Sequence, residues 1–385
     1  MKRTILLSTL ILTQSIFATT LTIYNNNKTL VNEEISLNLK KESSLFEYDD
    51  IPSTLIANSV HLQFPKEVTL LSQIYKNKKF LPQKEAKKSQ VKPKLLFHLH
   101  TSKAIHKKAA LSYLTSGISF TTDYEINIEK NSAEIHGWID IINNSGKNFK
   151  NATIRFLAGR VHQAYQRAPR LLYSDAAVAT KSMHYPKEQS FSGYHIYSLE
   201  HKTDLNAYEQ YRLPLLQMAD IPFERHNIAR MNNPLYLMGE RSSNVMQELH
   251  FKGLKKAAPS GIVRIYAQED KQRVLLGEDN LNNTPKNHPF VLKLGEDFDT
   301  KIQQRIISRN DTKELFDAKV EYILNNHSDE DRVMTLQIPF YKKEGSKVIS
   351  KLNYSYTKGN LVTFTLKVAA NSKRSFDVEF ISKRR

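Results

Sequence analysis

Apolar and polar residues alternate along most of this chain, and this period of two restricts the fold more than any other feature. Residues 59–64 and 118–128 show the alternation most clearly. Successive side chains of a strand point to opposite faces of its sheet, whereas a helix repeats every 3.6 residues. The pattern therefore predicts long strands with one buried face.

Further candidate strands recur at short intervals between glycine, asparagine and proline residues, at 133–142, 152–158, 194–199, 261–267, 290–294, 320–324 and 333–340. Near the C-terminus, segments 348–356, 361–368 and 376–380 alternate with turn residues and predict an antiparallel meander. Segments 171–180 and 301–316 can each hold a helix, but neither has a clean apolar stripe. Strands without intervening helices predict an all-β fold of antiparallel sheets, arranged as a β-sandwich.

A lysine- and proline-rich stretch at residues 81–92 interrupts the strand pattern. Few of its residues are apolar, which is typical of an exposed linker. We expect it to separate a small N-terminal β domain, residues 19–80, from a larger β-sandwich domain, residues 93–385. The chain is long enough for two such domains.

The first residues have the layout of a secretory signal peptide. A basic start at Lys2 and Arg3 precedes an apolar run at 5–12 and a small-residue exit ending at Ala18. The run is shorter than the roughly 20 residues of a membrane span, although a retained anchor is the alternative. We expect residues 1–18 to be removed, the mature chain to lack a transmembrane span, and the protein to be exported to the periplasm or cell envelope of a bacterium.

The chain is basic, with 56 Lys and Arg residues against 39 Asp and Glu residues. For an exported protein, the expected anionic partner is a lipid head group, polysaccharide or cell wall, or else an envelope protein. Nucleic acid is not expected in that compartment. The competing interpretation is a solvated surface rich in lysine for compositional reasons. The sequence contains no cysteine, so disulfides and thiol chemistry are excluded.

Several motifs occur in an order that resembles a known family. They include Tyr-Leu-Thr-Ser-Gly-Ile-Ser-Phe at 113–120, Gly-Trp-Ile at 137–139, Pro-Ser-Gly-Ile-Val-Arg-Ile-Tyr at 259–266 and Leu-Gly-Glu-Asp at 276–279. They are similar to the domain shared by mucoidy-inhibitor-A-like proteins, domain of unknown function family 4139. Residues 23–25, 50–52 and 58–60 resemble the segment that precedes this domain. The resemblance implies a β-rich exported protein and supplies no catalytic residues; the coiled coil of many relatives is missing here.

Two sets of residues are candidate sites. A long excursion within residues 162–189 interleaves basic and aromatic side chains that suit an acidic or carbohydrate ligand: Tyr165, Arg167, Arg170, Tyr173, Lys181 and Tyr185. The alternative interpretation of this excursion is a poorly ordered insertion. Four carboxylates in glycine-bounded segments can bind a cation or act as an acid/base pair if their loops converge: Glu278, Asp279, Asp297 and Asp299. Such residues are also common in ordinary solvated turns. The only tryptophan, Trp138, is either a sugar-stacking platform or a core residue.

No nucleophile elbow, zinc-protease motif or phosphate-binding glycine loop occurs in the sequence. The expected function is therefore non-catalytic binding or scaffolding, with no catalytic residue and no cofactor. The alternative is an envelope-polymer hydrolase or metal-dependent enzyme that uses the acidic loop residues. A third hypothesis is a structural module of an envelope assembly, which an exposed apolar patch or sheet edge would indicate.

Overall fold

The computed structural model describes residues 19–81, 92–159, 185–357 and 360–383. Their structure is all-β, which confirms the predicted fold class. The strands are Thr19–Tyr24 (β1), Lys28–Leu39 (β2), Glu42–Tyr48 (β3), His61–Gln63 (β4), Val68–Lys76 (β5), Lys94–Thr101 (β6), Ile105–Ser116 (β7), Ile118–Ile128 (β8), Ser132–Asn143 (β9), Phe149–Ala158 (β10), Lys187–Phe191 (β11), Tyr194–Ser198 (β12), Thr203–Leu205 (β13), Glu209–Arg230 (β14), Glu240–Phe251 (β15), Gly261–Glu269 (β16), Gln272–Leu281 (β17), Phe290–Arg309 (β18), Leu315–Asn326 (β19), Arg332–Pro339 (β20), Lys347–Ser350 (β21), Ser355–Thr357 (β22), Leu361–Val368 (β23) and Ser372–Lys383 (β24). The helices described are short 3-10 turns at Ala57–Ser59, Lys78–Phe80 and Pro234–Tyr236.

The chain divides into two compact units. Unit 1 comprises residues 1–122 and 137–216, and unit 2 comprises residues 123–136 and 217–385, so the division falls within β8, β9 and β14. The predicted boundary at residues 81–92 is therefore wrong. Strands on both sides of that stretch belong to unit 1 because β1 pairs with β10 and β2 pairs with β7. A lysine-rich composition marks exposed chain, but it does not show where a hydrophobic core ends.

Unit 1 contains two sheets. The larger one has the order β11-β12-β10-β1-β2-β7-β4, with β13 also paired to β10, and the smaller one has the order β3-β6-β5. Within the larger sheet β1 and β10 run parallel, and the other pairs are antiparallel. Residues at alternate positions, such as Leu21, Ile23 and Val31, are fully buried. This burial follows the period of two in the sequence.

Unit 2 contains a sandwich of two layers. One layer runs β15-β18-β19-β24-β21 and the other β20-β23-β22, and β14 pairs with both β15 and β20. Buried side chains from both layers, including Val320, Phe364 and Phe380, form one hydrophobic cluster. A further strand pair, β16 with β17, joins the second half of β8 in parallel.

Two local predictions are corrected in unit 2. The C-terminal strands are present, but they do not form a meander: β23 pairs with β20 and β22, whereas β24 pairs with β19 and β21. β22 and β23 thus pair within one layer, and the chain then crosses to the other layer at β24. Segment 301–316 is strand rather than helix, because β18 continues to Arg309 with Ile302 and Gln304 buried and Lys301 and Arg305 exposed.

In the part of the chain that the structure describes, no helix has the length and apolar character needed to cross a membrane.

Candidate functional site

The candidate site lies in unit 2, on the solvent-facing side of β14, β15 and β18. Glu224 is directly opposite His250, and His226 is opposite Glu248, across the antiparallel pair of β14 and β15. Glu248 is in turn opposite Lys293 of β18. Opposite residues of paired strands project from the same face, so this face carries a row of charged and polar side chains. The reverse face buries apolar residues such as Leu249 but also carries Arg225, which donates a hydrogen bond of 3.1 Å to Gln247 Oε1.

A groove of about 310 Å³ runs along this face. Its walls are formed by Ile228, Arg230, Ser243, Asn244, Met246, Glu248, Lys293 and Glu296. The register between β15 and β18 shifts twice beside the groove, after Asn244 and after Gln247. The first shift leaves residues 298–300 without a cross-strand partner on β15. Bulges of this kind bend a strand and redirect its side chains, which accounts for a concave surface on an otherwise regular sheet.

The carboxylates of the groove are already engaged. Glu248 Oε2 lies 3.0 Å from His250 Nε2, and Glu296 Oε2 accepts a hydrogen bond of 2.8 Å from Asn244 Nδ2. By contrast, the side chains of Arg230 and Lys293 have no hydrogen bond or ion pair among the described residues. Both are exposed. The groove therefore presents two cations that have no partner among the described residues, and each of them can pair with a carboxylate, phosphate or sulfate group.

Two histidines stack beside the groove. The ring centroids of His226 and His250 are 4.0 Å apart with an angle of 33° between the planes. Each Nε2 faces a carboxylate, at 3.5 Å for His226 with Glu224 and 3.0 Å for His250 with Glu248. A second cavity of about 380 Å³ adjoins His250. The stacking and the two carboxylate contacts hold the rings in place.

The predicted binding excursion lies almost entirely outside the described residues. Tyr165, Arg167, Arg170, Tyr173 and Lys181 all fall there, so the structure leaves their role a prediction. Tyr185 is described: it is half-buried and lies just before β11 in unit 1.

Three of the four predicted carboxylates, those of Glu278, Asp279 and Asp297, have separate partners. Glu278 accepts a hydrogen bond of 2.8 Å from Arg264 Nε, and Asp279 accepts from the backbone N–H groups of Asn280 and Lys293. Asp297 is buried, with Oδ2 3.7 Å from Arg332 Nε.

Asp299 donates its backbone N–H to Asp297 Oδ1 at 3.1 Å. Among the described residues, no group of three or more His, Asp or Glu side chains is arranged to hold a metal ion. The structure therefore does not bring Glu278, Asp279, Asp297 and Asp299 together as such a group.

Trp138 is half-buried in unit 1. The guanidinium of Arg212 lies over its ring, 5.5 Å from the centroid. The ring face is thus covered by a cation of the same chain, as in a core-edge position, rather than open to a sugar.

Reasoning from the sequence missed the groove. One signal was available: Glu-x-His occurs at 224–226 and again at 248–250, and residues two apart on a strand share a face. No short sequence pattern identifies Arg230 and Lys293, because they line the same groove only after β14 and β18 have paired with β15.

A comparison with models of known protein families gives no match. A comparison with curated proteins gives no match either.

Proposed function

We propose that this is an exported, non-catalytic binding protein of the bacterial periplasm or cell envelope, and that the groove of unit 2 holds an anionic group of its partner. The observation that carries the proposal is the contrast within the groove. Arg230 and Lys293 have no side-chain partner in the described parts of the chain, whereas Glu248 and Glu296 are hydrogen-bonded. Lipid head groups, acidic polysaccharides and cell-wall polymers all carry carboxylate or phosphate groups that would satisfy both cations.

Binding rather than catalysis is favoured by the sequence, which contains no nucleophile elbow, zinc-protease motif or phosphate-binding glycine loop. The all-β fold also agrees with membership of the mucoidy-inhibitor-A-like family, which we retain as a proposal on the strength of the sequence motifs.

Co-sedimentation with isolated outer membrane, inner membrane and cell-wall fractions tests the proposal. We compare the wild-type protein with the double variant R230Q/K293Q. The control, K313Q/K347Q, removes the same charge from two exposed lysines of unit 2 outside the groove. A hydrogen bond to a charged group contributes about 1.5–3 kcal/mol, so losing two such bonds should weaken binding at least tenfold.

The expected result is that the wild-type protein and the control bind one fraction equally at about 0.15 M salt, while the groove variant does not. Equal losses in both double variants would mean that net charge alone is responsible. If the wild-type protein binds none of the three fractions, the proposal is overturned.

A further inference from the structure

A second interaction surface is indicated in unit 1, on the sheet β3-β6-β5 and the turn that follows β5. Among the described residues of unit 1, the large hydrophobic side chains that are exposed are Leu45, Leu70, Leu71, Ile74, Phe80 and Tyr208. All except Tyr208 belong to this sheet and turn. Leu71 and Ile74 of β5 are 59% and 42% exposed, far more than core residues of the same type. Isolated exposed apolar residues need no explanation, but a cluster of this kind marks an interaction site.

Strand β5 is also an open edge. It pairs with β6 from Val68 to Lys76, and with no other strand in the described parts of the chain. One row of its backbone N–H and C=O groups is therefore available to another strand. The end of the edge is anchored, because Asn77 is buried and donates a hydrogen bond of 2.9 Å to the backbone oxygen of Ser53.

The most regular part of the edge is Ser72–Lys76. A register shift between Leu70 and Ser72 leaves Leu71 as a bulge, which bends the strand at that point. Beyond the bulge, five consecutive residues pair with β6 without interruption. A segment added here would place a side chain beside Ile74, which is 42% exposed.

The charge around this edge is positive at both ends. Lys66 precedes β5, and Lys76, Lys78 and Lys79 follow, all exposed and without ion pairs among the described residues. The adjacent acid, Glu67, is held by Lys103 at 3.2 Å and Lys107 at 3.3 Å. The edge is thus matched to a partner with negative charge at its ends.

We propose that β5 is a docking edge at which an extended, acidic segment of another protein adds as a further strand. Main-chain hydrogen bonds would supply affinity, while Ile74 and the lysines would select the partner's side chains. A second copy of this chain is disfavoured, because antiparallel self-pairing would bring Lys66 of one copy towards Lys76 and Lys78 of the other. A lipid surface is disfavoured because acyl chains cannot satisfy the free backbone groups of the edge.

The test uses the full protein and three fluorescein-labelled nine-residue peptides. The first alternates valine and threonine between acidic ends of Asp and Glu. The second has lysine in place of each acid, and the third is the acidic peptide with alternate backbone amides N-methylated, so that charge is kept and strand pairing is blocked. Binding is measured by fluorescence anisotropy.

We expect the acidic peptide to be the only one of the three that binds, and the neutral substitutions Leu71→Ser and Ile74→Ser to weaken its binding at least tenfold. Ile349→Ser is the control, because Ile349 is 51% exposed on β21, a strand of unit 2 at the end of its sheet. It should leave binding unchanged, as should R230Q/K293Q, which separates this surface from the groove. The N-methylated peptide tests strand addition on the wild-type protein, so the conclusion does not depend on whether a variant folds.

Failure of the acidic peptide to bind would overturn the proposal. Equal binding of the N-methylated peptide would exclude strand addition, and equal binding of the lysine peptide would exclude the charge argument. If the wild-type protein sediments as a dimer and Ile74→Ser sediments as a monomer, the edge pairs with itself and not with another protein. If the wild-type protein binds vesicles of phosphatidylcholine and phosphatidylglycerol and the same variant does not, the surface binds lipid instead.

Discussion

Replacing Lys147 by methionine should destabilise unit 1 by about 3–5 kcal/mol. Lys147 Nζ lies 2.6 Å from Glu33 Oε1, and both side chains are at most 5% exposed. Glu33 Oε2 accepts hydrogen bonds from the hydroxyls of Tyr48 and Tyr113, at 3.0 and 3.3 Å. Removing the ammonium leaves a buried carboxylate with two neutral donors and no counter-charge, and such an uncompensated charge is what makes breaking a buried pair expensive.

The double variant Glu33→Gln with Lys147→Met should recover most of that loss, because it removes both buried charges together. The second carboxylate on Lys147, that of Asp50 at 3.1 Å, is 70% exposed and stays solvated. An exposed pair supplies the control. Glu34, the neighbour of Glu33 on β2, pairs with Lys108, and their side chains are 41% and 68% exposed. Because neighbours on a strand point to opposite faces, Lys108→Met removes an ion pair of the same type from the solvent side. It should cost no more than about 1 kcal/mol.

Urea unfolding followed by the fluorescence of Trp138 is the assay, since Trp138 is the only tryptophan and lies in unit 1. Midpoints should fall strongly for Lys147→Met, slightly for Lys108→Met, and little for the double variant, with unchanged slopes. If Lys147→Met and Lys108→Met have equal effects, the Lys147–Glu33 pair is solvated and the reasoning is refuted.

Two further predictions concern the phenols of this cluster and a close approach of strands in unit 2. Burial, reinforced by the nearby carboxylates, raises the pKa of Tyr48 and of Tyr113. In the unfolded chain these tyrosines ionise near pH 10, whereas in the folded protein they stay neutral, so the free energy of unfolding should fall as the pH rises above about 10. The fall should be less steep in Tyr48→Phe. Urea titrations from pH 8 to 11 measure both. Gly277→Ala should destabilise unit 2 by about 1–3 kcal/mol, because a Cβ there overlaps the carbonyl oxygen of Leu294. At Gly295 the nearest atom to a Cβ is 3.8 Å away, so Gly295→Ala is its control in thermal unfolding.

The strands were predictable because each depends on local alternation. Segment 133–142 corresponds to β9 and segment 361–368 to β23, each within three residues at either end. Pairing was less predictable, because alternation shows which face of a strand is buried and not which strand lies beside it. The expected meander of the last strands failed for this reason: β23 and β24 both bury one face in the same core, yet they hydrogen-bond in different layers.

The groove could not be predicted from the sequence for a related reason. Its concavity depends on two register shifts between β15 and β18, and a register is a property of two segments together. The Glu-x-His repeats marked the face of the sheet that carries charge. They did not indicate Arg230 or Lys293. These two residues are candidates because, among the described residues, their side chains have no hydrogen-bond or ion-pair partner after the strands have paired.

The two proposed surfaces use different groups of an antiparallel fold and should respond differently to salt. The groove binds through side-chain charges on a sheet face, so its affinity should fall steeply as salt rises, since exposed charges are screened over about 10 Å at 0.1 M and about 3 Å at 1 M. The β5 edge binds partly through backbone hydrogen bonds, which salt does not screen in this way. High salt should therefore release an envelope component held at Arg230 and Lys293 but only weaken a strand added at Ser72–Lys76. A partner that stays bound at high salt, and whose binding is lost when its backbone amides are N-methylated, binds at the β5 edge.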